Sequence, residues 1–330
     1  MPIAAIIPLY NGARFIRTAL DSVLAQTRKA DEIIVVDDGS SDSGAAIVKA
    51  MQHAHPEIVL LSKSNGGQGS ARNTGVAHAR SDLIAFLDQD DAWYPHHLAE
   101  LEKPFLAPPP LPLAYVYSDL DQIDINGRMV CHRYLGTLPP REHPKRTLAN
   151  CLSQDMMILP GASLIDKNVF QKIGGFDERL RGYEDDDLFL RIFCAGYRGI
   201  YVRQPLSKWR IHTASASYSV GMARSRLIYF EKLAAEFPDE PKLHRFYIRN
   251  AVVPRFFPLV VRDLARGAMY RNPAWRTVSR RFILRLFPSL SQRQRLIALT
   301  AAAFFSLPFA GVLLSVAPQR ALRRFYRITL

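Results

Sequence analysis

The sequence contains few cysteines, and its last part lacks lysine and nearly all acidic residues. The three cysteines, Cys131, Cys151 and Cys194, stand far apart among 330 residues and form no CxxC pair. This argues against a disulfide framework and a cysteine-rich zinc site. From residue 251 to the end, fourteen arginines face one acid, Asp263. That part carries the whole net charge of +13, which indicates contact with an anionic surface, either a membrane or a nucleic acid.

Two phosphate-binding motifs and a secretory signal are also missing. The GxGxxG register that starts at Gly67 has Arg72 where the third glycine belongs, and GxxxxGK does not occur. Both observations argue against a dinucleotide-binding or P-loop protein. The N-terminus has no basic segment followed by an apolar run and a cleavage site, so we expect the catalytic part to be cytoplasmic.

Short apolar runs alternate with helical patterns over the first hundred residues. Strand-like runs cover residues 3–7, 32–36, 58–61 and 83–87, and helical patterns lie between them. This alternation predicts an α/β fold with a mostly parallel central sheet flanked by helices. The proline-rich residues 104–112 are expected to form an extended connection. Less regular strands follow at 114–118 and 162–165, and then a helix near 184–195.

The pattern changes near residue 220 to a helical and increasingly basic one. We expect a catalytic domain over residues 1–220 and a basic, apolar helical region over residues 221–330. Prolines recur through this second region and are expected to divide it into short helical pieces.

Two acidic clusters follow strand-like runs. Asp88, Asp90 and Asp91 come after residues 83–87, and Asp37 and Asp38 come after residues 32–36. Three carboxylates in four residues repel one another unless a proton or cation neutralises them, and a hard divalent ion suits such ligands. The alternative readings are a solvated acidic turn and a helix cap. Because ligands bind at the carboxyl ends of parallel strands, we expect both clusters to converge on one crevice.

Three further features are candidates for chemistry. Arg72 follows a glycine-rich loop and can hold phosphate with two N–H groups. The four acids at residues 184–187 open a helix and exceed what the helix dipole needs, which favours a catalytic carboxylate among them. His212 follows a strand-like run, although a lone histidine is more often structural than a ligand.

These motifs resemble, in order, those of the family 2 glycosyltransferases, which have the GT-A fold. The resemblance extends over roughly residues 3–215. It depends on six short motifs, at residues 7–11, 36–40, 71–73, 86–93, 174–177 and 184–185. It implies an inverting transferase that uses a nucleotide-diphosphate sugar and a divalent cation, Mn²⁺ or Mg²⁺.

The resemblance also implies roles for individual residues. The nucleotide or donor sugar would be bound by Pro8, Tyr10, Asp37, Asp38, Arg72 and Asp88. The implied metal ligands are Asp90, Asp91 and His212. Asp185 matches the catalytic base, although Asp186 and Asp187 leave its register open by one position. The acceptor pocket would be lined by Gly174, Gly175, Phe176, Asp177 and Glu184.

The basic region raises the question of a membrane. Residues 296–317 are uncharged, and roughly 20 residues are needed to cross a bilayer. Pro308 and the arginines after residue 319 argue against a simple span. A shallow hairpin near Pro308, with the amphipathic residues 276–287 at headgroup level, predicts a peripheral or monotopic protein at the anionic cytoplasmic face. The alternative is a buried helical pair, within the protein or across a homodimer.

The leading hypothesis is a membrane-associated glycosyltransferase that uses a UDP-sugar and a glycan or lipid-linked acceptor, in cell-surface polysaccharide or lipid-glycan synthesis. One alternative is a sugar-nucleotide nucleotidyltransferase, which would need a glycine-rich, basic N-terminal loop where the sequence offers only Asn11-Gly12. Another is a nucleic-acid binder. The uncharged gap between Arg295 and Arg320 argues against it, so no nucleic-acid partner is expected.

Overall fold

The computed structural model describes residues 1–107, 111–138, 142–211 and 219–307. The strands are β1 (Ile3–Leu9), β2 (Glu32–Asp37), β3 (Ile58–Ser62), β4 (Leu83–Phe86), β5 (Ala92–Trp93), β6 (Leu113–Ile123), β7 (Met129–Cys131), β8 (Ser163–Asp166) and β9 (Arg198–Arg210). The helices are α1 (Ile16–Leu24), α2 (Gly44–Gln52), α3 (Gln68–His78), α4 (His97–Leu106), α5 (Tyr134–Thr137), α6 (Leu148–Ser153), α7 (Lys167–Lys172), α8 (Glu184–Cys194), α9 (Val220–Glu236), α10 (Val253–Met269), α11 (Pro273–Leu286) and α12 (Gln292–Phe304).

One sheet organises the first part of the chain. Its strand order is β3-β2-β1-β4-β8-β6-β9-β5, with β7 paired to β6. The first four strands pair in parallel, as predicted from the βαβ pattern. β8 then pairs antiparallel with both β4 and β6, whereas β6 and β9 are parallel. The sheet is therefore mixed as a whole, and it is parallel where the sequence shows strand and helix in alternation.

The apolar runs become strands because both faces of the sheet are covered. All seven residues of β1 are buried, as expected for a central parallel strand. In α1 the buried residues are Ile16, Ala19, Leu20 and Val23, the spacing of one helical face. These side chains join those of β1 and β2 in the hydrophobic core.

The extended connection predicted over residues 104–112 is wrong at its start. Helix α4 continues through Pro104 and ends at Leu106. A proline in the last turn removes one intrahelical hydrogen bond and does not stop a helix that is about to end. Residues 108–110 of the predicted connection lie outside the described residues, and β6 begins at Leu113.

The chain divides into two compact units. The first comprises Met1–Arg146 and Met156–Ser215, and the second comprises Thr147–Asp155 and Ala216–Leu330. The short segment 147–155 lies inside the predicted catalytic domain but belongs to the second unit, where Arg255 Nη1 donates to the Cys151 carbonyl at 3.5 Å. The sheet and the acidic clusters belong to the first unit.

Helices α9, α10 and α11 pack around an aromatic cluster in the second unit. The Phe282 ring lies 5.2 Å from that of Phe230 and 6.1 Å from that of Phe256. Asp263 is buried there and pairs with Arg226. The predicted division into short pieces is wrong for α10, which extends over 17 residues. Pro254 lies in its first turn, directly after a π-helical turn over Ile248–Val252, and Pro258 lies inside it.

The packing of α11 changes the expectation for residues 276–287. Phe282, Ile283 and Leu286 are buried within the second unit, so the prediction of a headgroup-level position is wrong for these three side chains. Leu284 of the same stretch is 72 % exposed. Among the described residues, no helix has both the length and the apolar character needed to cross a membrane. The predicted hairpin around Pro308 falls outside the described residues.

Candidate active site

The carboxyl ends of β1, β2 and β4 lie at one edge of the sheet, because these strands pair in parallel. The segments that follow them meet there. The Asn11 N–H donates to Ser40 Oγ at 3.0 Å, and the Ser41 N–H donates to Asn11 Oδ1 at 2.8 Å. Strand β6 has the same direction as β4, since both pair antiparallel with β8. β9 is parallel to β6, so Arg210 at the end of β9 reaches this edge as well.

The side-chain amide of Gln89 links the acidic turn after β4 to the end of β1 by two hydrogen bonds. Its Oε1 accepts the Tyr10 N–H at 2.8 Å, and its Nε2 donates to the Tyr10 carbonyl at 3.0 Å. The side chain passes over Gly12, where an added Cβ would lie 2.2 Å from Gln89 Oε1. Glycine is therefore required at position 12 for this contact. Pro8 is buried within β1, and the half-exposed Tyr10 follows it.

Asp38 is buried and anchors the glycine-rich loop before α3. Its Oδ1 accepts hydrogen bonds from Lys63 Nζ and the Gly66 N–H, both at 2.9 Å, and its Oδ2 accepts the Gly67 N–H at 2.7 Å. Asp37 is also buried, and its Oδ1 accepts the Ser40 N–H at 3.0 Å. Both acids shape loops at the edge of the crevice. Their implied contact with a nucleotide base stays a prediction.

Arg72 lies at the centre of the site and is 2 % exposed. Its Nη2 donates to Asp88 Oδ1 at 2.6 Å, and its Nη1 donates to Glu184 Oε1 at 3.4 Å. Burial lowers the pKa of Arg72, but the carboxylates of Asp88 and Glu184 raise that pKa more, so its net shift is upward. Gln68 Nε2 also donates to Asp88 Oδ1, at 2.6 Å. The guanidinium thus joins the acid that follows β4 to the first acid of α8.

Phe176 forms part of the wall against Arg72. Its ring centroid lies 5.2 Å from the Arg72 guanidinium carbon and 5.4 Å from the Phe86 ring. Asn73 fixes its backbone, since Asn73 Oδ1 accepts the Phe176 N–H and Asn73 Nδ2 donates to the Phe176 carbonyl, both at 2.9 Å. The Phe176 side chain is buried and packs against Arg72. Its assignment to an acceptor pocket stays a prediction.

The remaining residues of the implied acceptor pocket surround this wall. Gly175 has a φ of +65°, and a Cβ there would lie 2.7 Å from Asn73 Oδ1, so this position favours glycine. Gly174 is exposed, with a φ of +85°. Asp177 is half-buried and forms an ion pair with Arg179 at 2.6 Å. The pocket assignment of these three residues stays a prediction.

The four acids that open α8 differ in their surroundings. Asp186 Oδ1 accepts the Met156 N–H at 2.6 Å, and Asp187 Oδ2 accepts Arg191 Nε at 2.8 Å; both acids are buried. Glu184 is also buried, and burial raises its pKa while Arg72 opposes part of that rise. Asp185 is half-buried. It is therefore the least buried member of the run, and its Oδ1 accepts the Asp186 N–H at 2.8 Å.

The acidic turn after β4 concentrates negative charge. Asp91 is buried, and burial raises its pKa well above the ordinary value, with further upward contributions from Asp90 and Asp88. Arg210 holds the turn: its backbone N–H donates to Asp91 Oδ1, and its Nε donates to the Asp90 carbonyl, both at 2.7 Å. The described residues contain no group of three or more His, Cys, Asp or Glu side chains arranged to hold a metal ion. His212 lies outside the described residues.

The donor set of this turn nevertheless fits a hard cation. Asp90 and Asp91 are consecutive acids. Burial raises the Asp91 pKa most, and a bound cation would relieve the repulsion that Asp90 and Asp88 add to it. Mg²⁺ is commonly held by one or two protein carboxylates together with substrate phosphates and water. A third protein ligand among the described residues is therefore not required.

Two buried acids on β6 were not identified from the sequence as candidate site residues. Asp119 Oδ1 accepts the Leu135 N–H at 2.9 Å, and Asp119 Oδ2 accepts the Tyr201 hydroxyl at 3.1 Å. Asp121 Oδ2 accepts the Tyr94 hydroxyl at 2.7 Å. They lie towards the end of β6 that shares the edge with the other acids. Two acids at alternate positions in an otherwise apolar run were the signal that could have identified them.

Comparison with known proteins decides the family. Residues 4–174 match the family model described as glycosyl transferase family 2. The chain is also 34 % identical, over 238 residues, to an uncharacterized glycosyltransferase of Rickettsia prowazekii, covering 71 % of each protein. The chain belongs to glycosyl transferase family 2. The resemblance in the sequence motifs is thereby confirmed, and the enzyme is a transferase that uses a nucleotide-sugar donor.

Solved structures show the fold of this glycosyltransferase. It is similar to S. aureus TarS residues 1–349 in complex with UDP-GlcNAc, with a TM-score of 0.65, 15 % identity and coverage of 96 % of this chain and 92 % of that one. It is also similar to the mannosyltransferase PcManGT from Pyrobaculum calidifontis in complex with GDP-Man and Mn²⁺, with a TM-score of 0.58, 18 % identity and coverage of 99 % and 85 %. The predicted GT-A fold is confirmed. Residues 150–214 of the glycosyltransferase also match a model described as the N-terminal domain of galactosyltransferase.

Proposed function

We propose that this glycosyltransferase is an inverting enzyme in which Asp185 is the catalytic base. The supporting observation is the position of Asp185 in the site. It is the half-buried acid next to Glu184, and Arg72 connects Glu184 to the donor-side Asp88. Asp185 would accept the proton of an acceptor hydroxyl as that oxygen attacks the anomeric carbon. The bond to the diphosphate breaks, and the nucleotide diphosphate leaves with the electron pair.

The acidic turn would hold a divalent cation. Asp90 and Asp91 would be its ligands, with His212 as the third residue implied by the family resemblance. When bound, Mn²⁺ or Mg²⁺ would neutralise negative charge on the diphosphate. Arg210 keeps both acids in place through its bonds to the turn. Arg72 holds Asp88 towards the donor side.

We propose a UDP-sugar as the donor and a glycan or lipid-linked hydroxyl as the acceptor, in the synthesis of cell-surface polysaccharide or lipid-glycan. The UDP-GlcNAc bound to TarS supports UDP, and the Mn²⁺ in the PcManGT complex supports the metal. A nucleotidyltransferase or a nucleic-acid binder is not favoured by either comparison. The basic second unit supports a location at an anionic membrane face.

The test is a screen of nucleotide sugars with purified full-length enzyme and Mn²⁺, in which released nucleotide is measured with and without candidate acceptors. We expect Asp185→Asn to retain donor binding, measured by calorimetry, and to lose transfer. Asp82→Asn is a matched control, because Asp82 is exposed just before β4, at the opposite end of the strand from the site. Transfer by Asp185→Asn at the wild-type rate would remove Asp185 from the role of base.

A further inference from the structure

Helix α12 carries a line of exposed apolar side chains on the side facing away from its own unit. Leu296 is 64 % exposed, Leu299 58 %, Phe304 39 % and Leu307, just after the helix, 40 %. We name these four residues the α12 stripe. The opposite face, with Ala298, Ala301 and Phe305, is buried. A single exposed leucine is ordinary, but a row at helical spacing forms a contiguous apolar surface.

Arginines flank the α12 stripe at both ends. Arg293 and Arg295 are exposed in the first turn of α12. At the other end, Arg280 Nη2 donates to Ser306 Oγ at 2.6 Å, which places an exposed guanidinium beside the end of the stripe. Arg281, next to Arg280 on α11, is also exposed.

The acids of the region do not neutralise these four arginines. Between residues 251 and 307 the one acid is Asp263. It is buried and paired with Arg226. Glu231 pairs with Arg285, at 3.0 Å, which leaves Arg285 out of the exposed basic set. The surface around the α12 stripe is therefore apolar in its middle and cationic at its ends.

We propose that the α12 stripe and its flanking arginines bind the surface of an anionic lipid bilayer. A helix with an apolar face and basic residues beside it lies in the plane of the membrane interface, and each basic residue near an anionic surface strengthens the binding. Charge complementarity selects this partner over a second copy of the chain, whose equivalent face would present the same positive charge. The sequence beyond Leu307 continues uncharged to residue 319 and then adds four arginines.

This inference depends on the membrane location proposed above, and it assigns the contact to α12. The contact expected from the sequence included residues 276–287, but Phe282, Ile283 and Leu286 of α11 are buried in the core of the second unit. It also included residues 296–317, and the α12 stripe is the described part of that segment. No membrane-spanning helix is needed, because the interaction uses one helix face. The catalytic residues are on the first unit, so binding to lipid and transfer of sugar are separable measurements.

The test is flotation of the full-length enzyme with phosphatidylcholine vesicles, with and without phosphatidylglycerol. We expect binding to the anionic vesicles, little binding to the neutral ones, and release by salt. Leu296→Ser combined with Leu299→Ser should weaken binding by about tenfold or more, and Arg293→Gln with Arg295→Gln by about tenfold or more. Leu106→Ser is the matched control, because Leu106 is a leucine of nearly equal exposure, 63 %, on the first unit.

The outcomes separate the explanations. Unchanged vesicle binding of the Leu296→Ser, Leu299→Ser variant would overturn the assignment to α12, and so would an equal loss in Leu106→Ser. Sedimentation velocity that shows a wild-type oligomer dissociated by the leucine changes would assign the stripe to a second copy instead. Nucleotide release in vesicle-free solution should be the same in all these variants, so failure of the proposed reaction would be recognised independently.

Discussion

Arg72 donates a hydrogen bond to Asp88 at 2.6 Å and, with its other terminal nitrogen, contacts Glu184 at 3.4 Å. Asp88 follows β4, and Glu184 opens α8, 96 positions later in the sequence. One buried cation thus joins the acid that follows β4 to Glu184, the neighbour of the proposed base Asp185. The negative charges of Asp88 and Glu184 are thus neutralised by a residue of the protein itself, Arg72.

Removal of the Arg72 charge should destabilise the protein. Arg72→Met keeps most of the side-chain volume but leaves Asp88 and the buried Glu184 without their cation. We expect the free energy of unfolding in urea at neutral pH to fall by about 3–5 kcal/mol. Adding Glu184→Gln should recover part of this loss. The control is Arg179→Met, since Arg179 is 70 % exposed in its pair with Asp177 and should cost at most about 1 kcal/mol.

Gly12→Ala should weaken the connection between the ends of β1 and β4. The new Cβ would displace Gln89, whose amide would then lose both hydrogen bonds to Tyr10. Because the displaced atoms are the end of a flexible side chain, we expect a loss of about 1 kcal/mol in unfolding free energy and weaker donor binding. In the Gly12→Ala, Gln89→Ala double variant the two losses should not add, because both break one contact. Gly136→Ala, whose Cβ would meet neighbours at 3.5 Å or beyond, should be nearly neutral.

Asp91→Asn should weaken metal binding without lowering the stability of the metal-free protein. The asparagine Oδ1 can still accept the Arg210 N–H, while the change removes one of three mutually repelling carboxylates. Without metal we expect a Tm equal to or above that of the wild type. Mn²⁺ should raise the Tm of the variant much less, because even outer-shell substitutions weaken metal affinity by about 10- to 100-fold. An Asp91→Asn variant that Mn²⁺ stabilises as strongly as it does the wild type would exclude Asp91 as a ligand.

The sequence predicted those parts of the site that depend on strand order. Parallel strands bring their carboxyl ends to one edge, so the acidic turns after β2 and β4 had to meet near Pro8 and Tyr10. The partners of each side chain could not be predicted this way. Two side-chain amides hold the site together: Gln89 bonds to Tyr10, and Asn73 bonds to Phe176. Each partner is distant in the sequence, so no local pattern predicts these contacts.

Burial explains the other differences. The motif of Phe176 does not show that its side chain is buried, and the rings of Phe86 and Phe170 pack against it. The apolar residues of α11 and those of the α12 stripe are alike in composition, but the helices that pack on them decide which set is exposed. The run at residues 184–187 is uniform in sequence. Its members become distinct through the bonds made by Asp186 and Asp187.

His97 should make the stability of the first unit sensitive to acid. It is buried, its ring stacks on Trp93 at 4.3 Å, and its Nδ1 lies 3.1 Å from the Leu206 carbonyl oxygen. Burial lowers its pKa to about 3, against 6.5 for the ordinary side chain. Between these two values the unfolded chain binds a proton that the folded chain does not. The free energy of unfolding therefore falls as the pH decreases below 6.5, by about 1.4 kcal/mol per pH unit.

The neighbouring histidine provides the control for this prediction. His97→Phe removes the titrating group and keeps an aromatic ring against Trp93. Between pH 7 and pH 5, we expect its unfolding free energy in urea to fall by roughly 2 kcal/mol less than that of the wild type. His96 is exposed, and His96→Phe should keep the wild-type pH dependence. If His97→Phe shows the same slope as the wild type, the acid sensitivity comes from other groups, and a proton on His97 does not oppose folding.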